Sequence, residues 1–406
     1  MTRRTVFRGG LVFDGTGSPP AAGDVVVEDG RIVDVGSGLD GDDPVDVTGA
    51  TVLPGLMDCH VHVMLEHVDM WQLAQQPFSY AFYVATRALR ASLHAGLTTL
   101  RDAGGADLGV KQALEDGLIE GPRLLISLGM ISQTGGHGDD WFASGAEVRN
   151  PLSMPHPGRP DTIVDGPDEM RRLVRKLIRA GADAIKVATS GGVLSLRDEP
   201  THGHFRDDEL AVLVAEADAA HIPVMAHAQA AIGIKAAVRA GIRSIEHGVY
   251  LDDEAIELML ARGTWLVPTL VAPRGVLDAA DAGAAIPETS VRKAREVIDI
   301  HRESFRRAVA AGVRVAMGTD SGVTPHGANL RELGLMVEGG MTPAAALHAA
   351  TGSAARLLGI ERDRGTIEPG RRADLVVVDG DASDMTAFAG GVRDVYLDGR
   401  RVDRGA

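Results

Sequence analysis

His60 and His62 stand one residue apart at the end of Leu53-Pro54-Gly55-Leu56-Met57-Asp58-Cys59-His60-Val61-His62, and that spacing is the first sign of chemistry in the chain. An extended strand turns alternate side chains to opposite faces, so the two imidazoles project together while Val61 points away. Neutral imidazole is the commonest protein ligand for zinc and related ions, which makes the pair a claw for a divalent cation. Four further groups of metal-competent or titratable type follow, each in or just after an apolar, strand-like run. They are Lys186 in Ala184-Ile185-Lys186-Val187, His227 in Val224-Met225-Ala226-His227-Ala228, His247 in Ile245-Glu246-His247-Gly248, and Asp320 after Val315-Ala316-Met317-Gly318-Thr319. A lysine inside an apolar strand has to be paired or chemically altered to be tolerated. Cys59, the single cysteine, falls on the face opposite the claw and reads as a small buried hydrophobe.

The elements that carry these groups repeat a strand, loop, helix pattern from residue 53 to 357. Ala-Gly steps at 95–96, 180–181, 240–241 and 311–312 each precede an apolar run, as expected where a helix ends and a parallel strand begins. Candidate strands are 52–63, 98–103, 124–132, 184–189, 223–228, 243–247, 264–270 and 313–319, and amphipathic helices are expected at 167–179, 207–220, 253–262 and 289–311. Eight strands close a (β/α)8 TIM barrel, whose catalytic groups gather at the C-terminal mouth. No Gly-x-Gly-x-x-Gly or Walker lysine motif favours an open doubly wound sheet. Residues 1–52 and 358–406 carry short β-like runs with Asp29-Gly30 and Asp398-Gly399 turns, and are expected to join as one small β-sandwich domain.

Composition narrows the function. The chain has 406 residues, 45% hydrophobic and 24% charged, enough for a large barrel plus an appendage. Its net charge of -15, with no basic tract, points away from nucleic acid. No apolar run approaches the ~18 residues of a membrane span, and the first residues lack the apolar stretch of a secretory signal. The sequence therefore predicts a cytoplasmic protein with no membrane partner, a homo-oligomer acting on a small molecule.

The set Pro54-Gly55-Leu56-Met57-Asp58-Cys59-His60-Val61-His62, Ile185-Lys186-Val187, Ala226-His227-Ala228, Glu246-His247-Gly248 and Gly318-Thr319-Asp320-Ser321 resembles the metal-dependent amidohydrolase superfamily. Thr134-Gly135-Gly136-His137-Gly138-Asp139 and Ser190-Gly191-Gly192-Val193 make it similar to the Xaa-Pro dipeptidase-like and carboxypeptidase-like branch, related also to imidazolonepropionase. The resemblance implies two divalent ions, zinc being the expectation. His60 and His62 would hold one with Asp320, and His227 and His247 the other. Lys186, carboxylated by CO2, would bridge them, since a carbamate can ligate where an ammonium cannot. It further implies amide hydrolysis, with Asp320 as general base and His137 as a donor to the substrate's developing oxyanion. The substrate would be a dipeptide or N-acyl amino acid. Gln229 stands where this branch often carries His or Tyr, a departure that favours the alternative of a non-peptide amide, cyclic amide or carbamate. Arg101 and Arg197 are candidate cations for a substrate carboxylate, and 140–166 reads as a long loop over the mouth. A second His-x-His, His202 and His204, reads as loop decoration.

Overall fold

Short β-branched runs punctuated by Asp-Gly build the first five strands of the computed structural model, which describes residues 3–405 apart from 143, 148, 196, 386–387 and 389–390. These are β1 (Thr5–Val12), β2 (Ala21–Glu28), β3 (Arg31–Gly36), β4 (Asp43–Asp46) and β5 (Ala50–Pro54). Two β-like runs of the sequence merge into β1, because a register shift between Phe7 and Gly10 lets the strand continue through an irregularity. Asp29 and Gly30 take φ of 49° and 73°, making the tight turn between antiparallel β2 and β3.

From here the strands run parallel and buried. β6 (Leu56–Val61), β7 (Leu97–Asp102) and β8 (Arg123–Ile126) form one arc. A second arc holds β9 (Met130–Ile131), β10 (Ile185–Ala188), β11 (Val224–Ala228), β12 (Ser244–His247), β13 (Trp265–Val267) and β14 (Arg314–Val315), in that order. The expected strand 124–132 is split into β8 and β9 around Leu128, whose φ is 68°. Backbone bonds link the arcs at both seams: Cys59 N to Met317 O at 2.9 Å on one side, Asp183 N to Ile126 O at 2.8 Å on the other. Helices Pro167–Arg179, Asp207–Ala219, Asp253–Arg262 and Glu288–Ala311 lie within a residue of their expected limits. Gly241 and Gly312 end their helices at φ of 96° and 87°, a left-handed turn that an L side chain would strain. Strand residues such as Ile185, Val187, Ile245 and Leu266 share one buried cluster with helix residues such as Leu173, Leu213, Ile234 and Met259. Each such side chain contributes roughly 1.5–3 kcal/mol of hydrophobic stabilisation.

The chain then returns to its start. β15 (Leu375–Asp379) pairs antiparallel with β5, followed by the hairpin of β16 (Asp394–Leu397) and β17 (Arg400–Arg401) turning at Asp398-Gly399. The hydrogen bonds trace one continuous path, β17-β16-β15-β5-β1-β2-β3 with β4 also on β1, which joins the two ends of the chain. The strand expected over 52–63 is likewise two: Leu53 and Pro54 pair with β15, while Leu56 onward pairs with β7. Gly55 is the pivot, and a Cβ there would sit 2.1 Å from Thr98 Oγ1. Gly55→Ala is therefore expected to destabilise the fold by about 1–3 kcal/mol through overpacking, read as a lower urea midpoint at unchanged m-value.

Candidate metal centre

The C-terminal ends of the parallel strands bring four imidazoles, an amine and a carboxylate together. Asp320 Oδ1 lies 3.4 Å from His60 Nε2 and 3.2 Å from His62 Nε2. These three residues can present ligand atoms within 4.8 Å of one another. The His247 ring sits 5.0 Å from that of His60 and 4.6 Å from that of His227. Lys186 reaches the same cavity from β10, 1% exposed, and its Nζ has no hydrogen-bond partner. Burial pulls its amine down to about 8, against the pull of the Glu246 and Asp320 charges.

Each imidazole has one nitrogen held by a partner outside the donor cluster, and the second nitrogens of His60 and His62 face Asp320. His60 Nδ1 donates to Glu246 Oε2 at 2.8 Å, His62 Nδ1 to Gly104 O at 2.8 Å, and His227 Nε2 to Gly191 O at 3.1 Å, while His247 Nδ1 is held by Thr269 Oγ1 at 2.7 Å. Such partners fix the tautomer and aim the bare nitrogen, which is how metal-ligating histidines are usually held. Burial pushes His227 and His247 well below the ordinary imidazole range, keeping both neutral. Burial works against the charge of Asp320, yet the flanking His60 and His62 hold its carboxyl well below the usual range. His247 and Asp320 take φ of 72° and 59°, backbone that costs non-glycine residues of order 1–3 kcal/mol and persists where the surroundings enforce it. For Asp320 the enforcement is its own N–H, bonded to His60 O at 2.7 Å.

Sequence reasoning gave no role to the layer beneath. Glu246, fully buried, accepts from His60 on one oxygen and from Arg101 Nη2 at 3.0 Å on the other. Burial opposes its charge, but the Arg101 guanidinium and the His60 bond outweigh that and hold it down to about 2. Arg101 also donates to Cys59 O at 2.7 Å. Assigned above as a cation for substrate, Arg101 instead lies under the donor cluster, because its β7 position turns it inward beneath the strand ends, 3% exposed. It borders a separate hollow of about 1810 Å³ at the far ends of the strands, around Arg243 and Arg314. The signal available was a charge inside an apolar strand, the same that singled out Lys186. Asp58 was passed over too: its carboxylate accepts from His60 N, Thr319 N, Thr319 Oγ1 and Asn329 Nδ2, tying β6 to the segment that carries Asp320.

The donors face a cavity of about 230 Å³ that His137 and Gln229 also line. The His137 ring stacks on His227 at 4.1 Å, and Gln229, 6% exposed, has an Oε1 without a partner. Val68, Val249, Val276 and Val323 make one wall apolar. Trp141 and Phe142 bring the loop of residues 140–166 to the rim, and Arg159 pins that loop by donating to Gly105 O, Pro151 O and Met154 O. Arg197 is exposed at the rim, its guanidinium 5.2 Å over the Trp141 ring. Among the described residues, His202 and His204 join no group of three donors.

A parallel α/β fold gathers histidines and a carboxylate at its strand ends, and His60, His62 and Asp320 form a group that could hold a metal ion. The amidohydrolase family pattern matches residues 51–402. Ochratoxinase of Aspergillus niger is 36% identical over 398 residues, 92% of this chain and 81% of that protein. Its crystal structure has a TM-score of 0.85 at 33% identity, covering 98% of this chain and 95% of that one. A Xaa-Pro dipeptidase with methionine bound in its active site is similar with TM-score 0.89 and 34% identity over 98% of this chain and 99% of that one. A prolidase complexed with N-methylphosphonate-L-proline is similar with TM-score 0.88 and 35% identity, over 99% and 100% of the two chains. The chain belongs to the amidohydrolase family and is a hydrolase.

Glu246→Gln keeps the shape but leaves Arg101 facing a neutral amide. Breaking the buried pair is expected to cost about 3–5 kcal/mol, and loosening His60 to weaken metal binding about 10- to 100-fold, measured by denaturant titration and by competition with a chelator.

Proposed function

We propose that this chain is a binuclear-metal hydrolase of amide bonds, acting on a dipeptide or an N-acyl amino acid. The observation that carries this reading is the bare Lys186 amine among four imidazoles. His60, His62 and Asp320 make a three-donor group, whereas among the described residues no carboxylate bonds His227 or His247, which are held by Gly191 O and Thr269 Oγ1. A carbamate on Lys186 supplies the missing oxygen donors and removes an uncompensated buried amine. Those six residues would hold two ions, with zinc favoured by the imidazole-rich set. When bound, the ions would polarise the scissile carbonyl and acidify water.

The chain's own groups do the rest. A carboxylate oxygen of Asp320 takes a proton from the attacking water as its oxygen bonds the carbonyl carbon. The same oxygen returns the proton to nitrogen as the C–N bond breaks. His137 and Gln229 meet the substrate, and Arg197 at the rim is the cation available to a terminal carboxylate. Hydrogen bonding at both seams supports closure of the two arcs into a TIM barrel, with β8 and β9 as one of its eight strands. The division of β1 between β4 and β5 supports the terminal sheet folding over as a sandwich. The likeness to a Xaa-Pro dipeptidase with bound methionine and to a prolidase complexed with N-methylphosphonate-L-proline supports the dipeptide reading. Gln229, neutral where a phenol or imidazole is frequent in this branch, favours a lactam or carbamate as the second reading.

Asp320→Asn is expected to lower turnover about 10²- to 10⁴-fold with an unchanged circular dichroism spectrum. Lys186→Ala should lose metal by elemental analysis, together with the carbamate 13C resonance that wild-type protein shows after incubation with labelled bicarbonate. Wild-type rates or full metal content in these variants would refute the assigned roles. A panel of dipeptides and N-acyl amino acids tested beside a lactam and a carbamate decides between the two substrate readings.

A further inference from the structure

Ser195 Oγ lies 3.0 Å from His137 Nδ1 and hydrogen-bonds Asp198 Oδ1, with Gly192 O at 3.1 Å. Asp198 is 4% exposed. The Asp198 carboxylate and the Gly192 carbonyl only accept, so the single serine proton goes to one of them and a serine lone pair receives the Nδ1–H of His137. The second imidazole nitrogen, Nε2, makes no bond among the described residues, and the ring keeps 14% of its side chain open where it lines the cavity. Two contacts set the ring: stacking on His227, with an interplanar angle of 15°, fixes its plane, and Ser195 fixes its rotation within that plane. The loop behind is braced by Lys293, 1% exposed, whose Nζ donates to Gly192 O at 2.9 Å, Ser195 O at 2.7 Å and Asp198 O at 2.9 Å. Gly192 leaves the space the ring needs, since a Cβ there would lie 2.3 Å from His137 Cε1.

We propose that Ser195 and Asp198 are positioning residues that lock His137 in the tautomer protonated at Nδ1, so that its Nε2 lone pair accepts a hydrogen bond from the substrate. The group it reads is a donor such as an amide N–H, in place of the oxyanion that the sequence pattern suggested. This rests on His137 facing the substrate, and gives the loop after β10 a task that the metal ligands do not perform.

The test is 15N NMR of the histidine side chains in zinc-loaded protein, with His137 assigned by its loss in His137→Gln. Wild-type protein should show His137 protonated at Nδ1 and bare at Nε2. Ser195→Ala and Asp198→Asn should shift the balance towards Nε2–H, while Ser195→Thr, which keeps the hydroxyl, should retain the wild-type pattern. On the dipeptide or N-acyl amino acid that wild-type protein turns over fastest, Ser195→Ala should lose about 10- to 100-fold in kcat/KM and Ser195→Thr should recover most of it. An Nε2–H tautomer in wild-type protein, or a Ser195→Ala variant with unaltered tautomer and rate, overturns the proposal. Absence of turnover across the whole panel would count against the amide-hydrolase reading alone, because the NMR result stands without a substrate.

Discussion

A buried primary amine with no hydrogen-bond partner among the described residues is the constraint around which this molecule makes sense. Burying an ammonium without a partner costs several kcal/mol, and a neutral amine avoids most of that while still wasting its hydrogen-bonding capacity. Lys186 carries this cost at the centre of a ring of donor groups that share its preference for a cation or an acid. Buried imidazoles packed ring to ring, two of them facing a carboxylate kept ionised, are a poor protein core and a good ligand set. The proposed carbamate would reconcile both facts, since it would turn the unpaired amine into an oxygen donor beside His227 and His247.

Beneath the donors lies a second layer that pins them. Arg101 and Glu246 are charges placed in otherwise apolar strands, and each is tolerable only because the other is within 3.0 Å. Their pairing leaves one carboxylate oxygen for His60, so a buried ion pair of uncertain value for stability becomes a device for aiming a ligand. Asp58 and Thr269 act in the same sense for the Asp320 segment and His247. The left-handed backbone at His247 and Asp320 shows that this support is strong enough to hold conformations the residues would not choose alone.

Parallel strands explain why groups so distant in sequence meet. Every parallel strand ends on the same side, so a residue at the end of β6, β10, β11, β12 or β14 arrives at one rim whatever its chain position. The terminal sheet is not part of that rim. It takes up β5 and hands the chain to β6 through Gly55, which fixes where the first histidine strand begins.

Much of this was legible from residue types and spacing. His60-Val61-His62, the apolar runs that end in His227, His247 and Asp320, the lysine at 186 and the Ala-Gly helix ends all depend on local pattern, and local pattern determines strand faces and helix limits. The same sequence was read as one strand where there are two, on either side of Gly55 and of Leu128, because a pivot is set by what packs against it. Whether Arg101 meets substrate or Glu246 was beyond the sequence as well: both fates suit an arginine near a strand end, and only the direction of its side chain in the folded chain separates them. Ser195, Asp198 and Lys293 belong with it, since hydrogen bonds between a loop, a helix and a distant histidine have no period in the chain. Residue chemistry alone determined which groups could act; tertiary structure decided which nitrogen of each faces the cavity, because that choice is made by partners brought near only by folding.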